Sequence, residues 1–581
     1  MRPVGSAHRS LAGKGDWPLG ESAPPTSREA VLLLAALAIG TLVRVGLYLR
    51  GSSLWIDEAR LALNVGARSY RELLAPLDYD QVAPPLFLWA LKAATQVAGM
   101  NEYALRAIPL AAAIAVPFLL VPVSVSLGGW RVASFAAVLA ALSPGLVAHA
   151  AEAKPYAVDA FVCLGLIALH LANRRRGGSG LGAWVIAAGA VAVWLSAPAV
   201  FVLAAIGSAG FIGATAVERR GALAAFAAWA ISFGSAYLAS YGASSSNAYL
   251  REVWSGGFLT PFEPGGVMRA AHTARDVLCE SFAIGVIDVS NHSGAAVGFN
   301  VVAVVLAILL AVGVRAMMRE AGSTGVRLAC GPWMFVVAAS LAALYPLAPR
   351  LTTFGVPLLI VLLALALVSL ERLPVPLRVT GVGAFGVIFV AGALWCIDQV
   401  AARGEHVRPA VQFFQRESLP GESVYVLARA VPAWTFYTTD WTNPDTTRLA
   451  RMAQAGSAGG PAFENAASRG RPLRRPVEGL RFSHDARVEL IGAFHGDQWR
   501  PGDLGPAGTD PNWAAAEALR VRKEGRPHVW VLLVRARGVE RQLQAALSAL
   551  GARPGTVFEA EDVILVRYAF ADAAATSTAS P

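Results

Sequence analysis

Two adjacent carboxylates, Asp57 and Glu58, directly follow the first long apolar stretch of the sequence. That stretch, residues 30–49, has about the length that spans a bilayer and contains one charge, Arg44. Acidic residues at the end of a membrane helix either mark the water interface or carry chemistry at the membrane surface. In the second case one carboxylate is a general base toward a hydroxyl group, and Asp57 and Glu58 could hold a divalent cation, Mg²⁺ or Mn²⁺, against a phosphate or pyrophosphate leaving group.

Asp57 is the better candidate for the general base. Trp55 and Ile56 precede it, and apolar neighbours disfavour the charged form of a carboxyl group. The sequence therefore predicts a raised pKa for Asp57.

Three basic residues are candidates for binding an anionic group. Lys154 could snorkel to the interface or bind an anionic head group. Arg350 has the same two interpretations, and we favour phosphate binding because the planar guanidinium suits that group. Arg106 could neutralise the nearby Glu102 or approach the site.

The composition indicates a polytopic membrane protein with some soluble mass. Of the 581 residues, 55% are hydrophobic and 15% are charged, and mean hydropathy is +0.51. Soluble domains contain roughly 25% charged residues. The net charge of +10 is better explained by cytoplasmic loops than by a nucleic-acid surface. The four cysteines show neither a disulfide framework nor metal-ligand spacing.

Eleven apolar segments are predicted to span the membrane. A twelfth run, residues 84–98, is shorter and is predicted to be interfacial or re-entrant. The eleven segments are residues 30–49, 106–127, 132–149, 156–172, 181–195, 197–216, 221–241, 296–314, 328–347, 351–370 and 379–398.

The arginine distribution sets the orientation. With the N-terminus in the cytoplasm, arginine clusters such as 174–176 and 219–220 all lie in cytoplasmic connections, as the positive-inside rule requires. The same parity places Asp57, Glu58, Glu152, Lys154 and Arg350 on the extracytoplasmic face. This convergence is not required by hydropathy and points to a site on that face.

Four regions follow from this pattern: a disordered cytoplasmic N-terminus (1–28), a transmembrane domain (29–400), an extracytoplasmic α/β domain (401–570) and a disordered tail (571–581). In the α/β domain, segments beginning at Ser423, His528 and Val563 are predicted strands, and 409–416 and 539–550 predicted helices. Residues 452–480 resemble a flexible insert.

The outer loop 242–295 carries Trp254, Phe258 and Phe262. These aromatic residues would suit either a surface for a sugar or lipid or an interfacial aromatic belt.

Four short blocks, taken in order, resemble the GT-C membrane glycosyltransferases, in the family 39-like branch with protein O-mannosyltransferases and the bacterial lipid A aminoarabinose transferase. The blocks are residues 53–58 (Ser-Leu-Trp-Ile-Asp-Glu), 83–87 (Ala-Pro-Pro-Leu-Phe), 104–106 (Ala-Leu-Arg) and 151–156 (Ala-Glu-Ala-Lys-Pro-Tyr). Two positions depart from the family: Ala83 stands where a histidine is frequent, and Lys154 where an arginine is frequent. The lysine keeps the charge but loses bidentate geometry.

The resemblance implies a GT-C-like fold and an enzyme that transfers a sugar from a polyprenyl-phosphate donor to an extracytoplasmic hydroxyl of a lipid, glycan or protein. It gives Asp57 the role of base and Glu58 a supporting or metal-binding role. Lys154, Arg350 and Arg106 would meet the donor phosphate, with Glu152 and Tyr156 in support. The location would be the inner or plasma membrane.

A transporter or flippase of lipid-linked sugars is the main alternative. Transport favours charged or broken helices at mid-membrane and internal repeats, and we find no repeat in this sequence. A third possibility is a membrane scaffold that carries an outer binding domain. That possibility leaves the one-sided set of charged residues unexplained.

Overall fold

The computed structural model is mostly helical, with a small mixed sheet near the C-terminus. It describes residues 24–176, 180–212, 214–245, 247–282, 293–371, 406–419, 422–427, 430–443, 489–492, 513–524, 528–534, 539–560 and 562–570, with a few short pieces between 374 and 394. The predicted disordered ends therefore lie almost entirely outside the described residues, and so does the predicted insert at 452–480.

Fifteen α-helices lie between residues 24 and 371 of the described part of the chain. The first begins with a capping box between Thr26 and Glu29, which satisfies free backbone N–H groups at its start. The helices are α1 (Ser27–Leu49), α2 (Ile56–Ala67), α3 (Pro85–Ala98), α4 (Glu102–Leu142), α5 (Pro144–Val147), α6 (Tyr156–Arg175), α7 (Ala183–Leu195), α8 (Ala199–Phe211), α9 (Ala216–Ala236, extended by a π-turn at Tyr237–Tyr241), α10 (Gly242–Ser245), α11 (Ala248–Val253), α12 (Gly266–Phe282), α13 (Ser293–Glu320), α14 (Gly322–Leu341) and α15 (Val356–Leu370).

Seven of the described helices are long and apolar enough to cross a membrane: α1, α4, α6, α9 with its π-turn, residues 300–320 of α13, α14, and α15 with the turn before it. The predicted span 106–127 and the first part of 132–149 fall within α4, which breaks at Gly129, where φ is +83°; the rest of the second span forms α5 and the turn after it. The predicted spans 181–195 and 197–216 correspond to the 13-residue helices α7 and α8. The segment 379–398 lies largely outside the described residues, so the count of eleven stays a prediction.

Two shorter stretches differ from the long spans. The run 84–98 forms the 14-residue helix α3, which is too short to cross a bilayer. The connection predicted to lie outside the membrane at 242–295 contains helices α10, α11 and α12. Helix α12 has charged residues along much of its length, so the apolar count that identified the spans missed it.

Helix α15 lies at the centre of the bundle, with twelve consecutive buried residues between Val356 and Leu367. Helix α1 packs along α4. At that contact the fully buried Arg44 donates from Nη1 to the Gly40 and Ala141 carbonyl oxygens (both 2.9 Å) and from Nη2 to the Ala140 carbonyl oxygen (2.8 Å). The carbonyl groups of the last turn of α4 lack helical partners, so the arginine caps the end of α4. The same hydrogen bonds compensate in part for the burial of the guanidinium charge.

The C-terminal region is a five-stranded sheet with helices. Its elements are α16 (Val407–Glu417), β1 (Ser423–Val426), α17 (Val431–Thr438), β2 (Glu489–Gly492), α18 (Trp513–Glu524), β3 (His528–Val534), α19 (Val539–Ala549), β4 (Ala552–Ala560) and β5 (Val563–Phe570). The strand order is β2-β1-β3-β5-β4; β1 is parallel to both β2 and β3, and β5 is antiparallel to β3 and β4. The three predicted strands and both predicted helices are present.

The Arg44 contacts predict a specific stability effect. Lysine keeps the charge but cannot supply the fork of donors, so Arg44→Lys should lower the free energy of unfolding by about 2 kcal/mol or more. Thermal unfolding of the purified protein in detergent measures this. Arg131→Lys is the matched control, because Arg131 is 58% exposed in its pair with Glu371 and should change stability by less than about 0.5 kcal/mol. Equal shifts in both variants would contradict the capping role of Arg44.

Candidate functional site

The site is built around the first turn of α2, which begins one residue before Asp57. Acidic residues are favoured there because the helix dipole leaves partial positive charge at a helix N-terminus. Glu58 is the third residue of the helix, and its Oε2 accepts the backbone N–H of Trp55 at 3.3 Å. This contact satisfies a backbone N–H at the start of the helix and fixes the first turn.

Glu58 forms a buried ion pair with Arg106 of α4. Arg106 Nε donates to Glu58 Oε1 at 2.8 Å and Nη2 to Oε2 at 2.6 Å, and both side chains are at most 4% exposed. The backbone N–H of Ala153 also donates to Oε1, at 2.7 Å. Arg106 also donates from Nη1 to the Ser52 carbonyl oxygen (2.7 Å) and from Nη2 to the Ser53 carbonyl oxygen (3.3 Å). Glu58 thus joins α2, α4 and the turn before α6.

The carboxylates do not fit a divalent cation. Both oxygens of Glu58 already accept two N–H groups each, and arginine side chains lie on both oxygens of Asp57. Within the part of the chain that the structure describes, no cluster of three or more His, Cys, Asp and Glu residues could hold a metal ion. A site surrounded by arginine and lysine also repels a cation electrostatically.

Asp57 points away from the buried pair and keeps 20% of its side chain exposed. Arg350 Nη1 donates to its Oδ2 at 3.2 Å, and Arg60 Nη1 lies 3.7 Å from its Oδ1. Burial alone would raise the pKa of Asp57, but the positive charges of Lys154, Arg350 and Arg60 outweigh burial and hold this pKa below its ordinary value. The predicted rise is therefore wrong, because the apolar neighbours matter less than Lys154 and Arg350 from distant segments together with Arg60 of the same helix.

Lys154 lies in the turn before α6 and is 6% exposed. Its Nζ donates to Gln81 Oε1 at 2.6 Å. Burial and the nearby Arg350 lower the pKa of Lys154, while the charge of Asp57 opposes that shift. Lys154 thus lies close enough to Asp57 for the two charges to interact.

Arg350 follows α14 in a 3₁₀ turn, Pro349–Leu351. Its guanidinium carbon lies 4.7 Å from the ring centre of Trp254, the distance of a cation–π contact. Trp254 was predicted to face a sugar, a lipid or the interface, and the structure places it on this arginine. The arginine side chain stays 34% exposed and so remains accessible to an anion.

Glu152 and Tyr156 border the site through His149. The Nδ1 atom of His149 lies 2.6 Å from Glu152 Oε2, and its ring meets the ring of Tyr156 edge-on at 4.8 Å between centres. Glu152 and Tyr156 are both buried. The structure therefore brings together Asp57, Lys154 and Arg350 in one cluster, with Glu152 and Tyr156 beside it, whereas Arg106 lies behind Glu58 with its donors used within the protein.

Sequence reasoning missed the segment that carries Gln81. Tyr79 and Asp80 have positive φ values, +61° and +52°, which are uncommon for residues other than glycine and cluster at functional sites. Asn247 Nδ2 donates to Asp80 Oδ1 at 2.6 Å and Gln81 Nε2 to the Tyr79 carbonyl oxygen at 3.1 Å, which holds this backbone in place. The only sequence signal was the position of these residues just before the Pro-Pro motif at 84–85.

Structural comparison finds similar folds among solved structures. A crystal structure of ArnT from Cupriavidus metallidurans bound to undecaprenyl phosphate is 13% identical, covers 94% of this chain and 98% of its own, and has a TM-score of 0.46. The archaeal oligosaccharyltransferase AglB from Archaeoglobus fulgidus, in complex with an inhibitory peptide and a dolichol-phosphate, is 12% identical, covers 93% of this chain and 74% of its own, and has a TM-score of 0.46. No protein-family model matches the chain, and no curated protein sequence matches it.

The adjacent carboxylates should respond differently to amide substitution. Glu58→Gln puts an amide NH₂ against Arg106 or the Ala153 N–H and leaves a buried guanidinium unpaired, so the free energy of unfolding should fall by about 3–5 kcal/mol. Asp57→Asn, one residue away and partly exposed, is the matched control and should change stability by less than about 1 kcal/mol. Thermal unfolding in detergent compares them. Equal destabilisation would argue against the division between a buried anchor and an accessible carboxylate.

Proposed function

We propose that this protein is a membrane glycosyltransferase that transfers a sugar from a polyprenyl-phosphate donor to a hydroxyl acceptor. The observation that carries the proposal is the Asp57 cluster: one accessible carboxylate placed among Lys154, Arg350 and Arg60 beside helices that can cross a membrane. The carboxylate of Glu152 also interacts with Lys154 and Arg350, so the cluster has three cations and two carboxylates and keeps a surplus of positive charge. Such a cluster attracts a further anion, and a phosphate group is one.

Arg350 is the residue best suited to the donor phosphate. Its fork of N–H groups matches two phosphate oxygens, and it remains partly exposed while Trp254 supports its other face. Lys154 adds a second positive charge at the side of Asp57. Together they would stabilise the charge that develops on the leaving phosphate, as preorganised cations do in other transfer reactions.

Asp57 receives the acceptor proton in the proposed reaction. The acceptor oxygen attacks the anomeric carbon as the bond between that carbon and the phosphate oxygen breaks, and the electron pair of the broken bond stays on the phosphate. The hydroxyl proton passes to an oxygen of Asp57 and later to water. Attack opposite the leaving group inverts the anomeric configuration.

The low pKa of Asp57 fits a base that is activated by its donor. Arg350 donates to Asp57, and together with Lys154 and Arg60 it weakens the carboxylate as a base. A phosphate group that takes up Arg350 removes this contact and adds negative charge nearby, and both changes raise the pKa of Asp57. The base therefore becomes stronger when a donor is present.

The other predicted residues receive positioning roles. Glu58 and Arg106 hold the first turn of α2, so Arg106 would orient Asp57 rather than bind the donor. Glu152 and Tyr156 line the turn that carries Lys154. The proposed reaction has no step through a metal ion, because N–H groups and cations already occupy the carboxylates of Asp57 and Glu58.

The orientation predicted from the arginine clusters places this reaction on the extracytoplasmic face of the inner or plasma membrane. The acceptor is then a lipid, glycan or protein on that side. The C-terminal sheet with its helices, predicted as residues 401–570, would form the extracytoplasmic domain, whereas the N-terminal region 1–28 would be cytoplasmic.

Transfer from purified protein tests the proposal. Full-length protein in detergent is given a panel of radiolabelled undecaprenyl-phosphate sugars with membrane lipid, glycan or protein acceptors, and release of undecaprenyl phosphate is measured. Asp57→Asn should lower the transfer rate at least roughly 100-fold while donor binding is retained. Asp276→Asn, an exposed aspartate paired with Arg275 outside the cluster, is the control and should keep the wild-type rate. Equal rates in Asp57→Asn and wild type would remove Asp57 from the mechanism, and a folded wild type that transfers no sugar would favour a transporter.

The charges around Asp57 predict a pH effect with a definite sign. Because Arg350 favours the ionised carboxylate, the neutral side chain in Arg350→Gln should raise the pKa of Asp57. The acidic limb of the kcat/KM profile, which follows protonation of Asp57, should then move to higher pH. Arg269→Gln, which breaks an exposed pair with Glu263, should leave the limb in place. A limb that moves to lower pH, or does not move, would contradict the assignment.

A further inference from the structure

The loop that leads into α2 is held on both sides. Arg106 binds the Ser52 and Ser53 carbonyl oxygens from the bundle. From the other side, side chains of the C-terminal region bind the Gly51 carbonyl oxygen and the Leu54 N–H. Residues 51–54, which end three residues before Asp57, are thus each bonded through their backbone to a side chain. These side chains come from two separate parts of the chain.

Tyr437 of α17 makes one of the outer contacts. Its hydroxyl accepts the Leu54 N–H at 2.7 Å and donates to Glu102 Oε1 at 2.9 Å. Leu54 is fully buried, so its N–H has no access to water if the tyrosine oxygen is removed. Burial and the Glu102 carboxylate raise the pKa of Tyr437, so the hydroxyl keeps the proton that it donates.

Arg408 of α16 makes the second contact. Its Nη1 donates to Glu102 Oε1 and its Nη2 to the Gly51 carbonyl oxygen, each at 2.7 Å. Glu102 is buried in the first turn of α4, one turn before Arg106. The same helix end therefore receives the C-terminal region through Glu102 and holds the loop and Glu58 through Arg106.

Packing supports these polar contacts. Helix α17 packs against α2, and Trp441 lies directly against Gly66 near the end of α2. A Cβ atom at position 66 would come within 2.4 Å of the Trp441 ring, so the close approach depends on glycine. Gly51 has φ +55° and lies under the ring of Tyr103, which makes this point of the loop equally restricted to glycine.

We infer that the C-terminal region positions Asp57, with Tyr437 and Arg408 as positioning residues that fix the loop 51–54. The role of Asp57 in this inference rests on the proposed function, whereas the docking of the loop does not. The region would then be part of the transfer machinery in addition to any contact that it makes with an acceptor.

Hydrogen exchange tests the docking without any activity. The full-length Tyr437→Phe variant should exchange the amide of Leu54 and its neighbours about 10-fold faster or more than wild type. Tyr425→Phe is the matched control, because it removes a buried tyrosine hydroxyl that bonds Glu517 at 2.7 Å in the same region. It should leave exchange at 50–58 unchanged. Arg408→Lys is the second variant, since the shorter lysine lacks the two separate nitrogens that reach Glu102 and Gly51, and it should also speed exchange there.

Two exchange results would overturn the inference. One is unchanged exchange at 50–58 in both Tyr437→Phe and Arg408→Lys. The other is equal acceleration in Tyr425→Phe, which would show general loosening of the fold. Hydrogen exchange is measured without sugar transfer. A wild type that transfers no sugar would therefore reject the proposed function, but hydrogen exchange would still decide whether the C-terminal region docks on the loop.

Kinetics test the consequence for Asp57. Tyr437→Phe should lower kcat roughly 10- to 100-fold with little change in the KM for the donor, because a misplaced base slows chemistry more than donor binding. In the Asp57→Asn background the same substitution should cause no further loss, since the base through which it acts is gone. Full additivity of the two substitutions would show that Tyr437 does not act through Asp57.

Discussion

The ion pair between Glu58 and Arg106 is the constraint on which the rest of the site depends. It is buried and bidentate, and it also binds backbone groups of the loop before α2 and of the turn before α6, so α2, α4 and that turn meet in one arrangement. Such a pair contributes little net stability, because desolvation of both charges offsets their attraction. Its effect is geometric: α2 cannot rotate or slide without leaving a buried charge unpaired.

This arrangement separates the tasks of two adjacent acids. Successive residues on a helix point about 100° apart, so Glu58 can face the interior while Asp57 faces the cluster of cations. The rigid acid sets the position, and the accessible acid keeps an environment that an incoming anion can change. Arg350 is central to that change, since it contacts both Asp57 and the face of Trp254.

Local sequence patterns predicted much of this architecture but little of its electrostatics. The apolar segments, the three strands and the shared face of Asp57, Lys154 and Arg350 follow from periodicity and charge parity, which are local properties. The sign of the Asp57 pKa shift was predicted wrongly because it depends on Arg350, 293 residues away in the chain. Gln81 could not be identified either, since its role appears only when its segment folds against Lys154.

The contact between Arg408 and the Gly51 carbonyl oxygen joins positions 357 residues apart. Ribosomes add about 5–20 residues per second, so the first of these residues waits about 20–70 s for the second. Once α4 has been added, the growing chain holds α1, α2 and α4. It still lacks the contacts of Arg408 and Tyr437 with the loop 51–54. The support of this loop is therefore complete only once residues 408 and 437 have been added, and a shorter nascent chain carries Asp57 on a loop that only Arg106 holds.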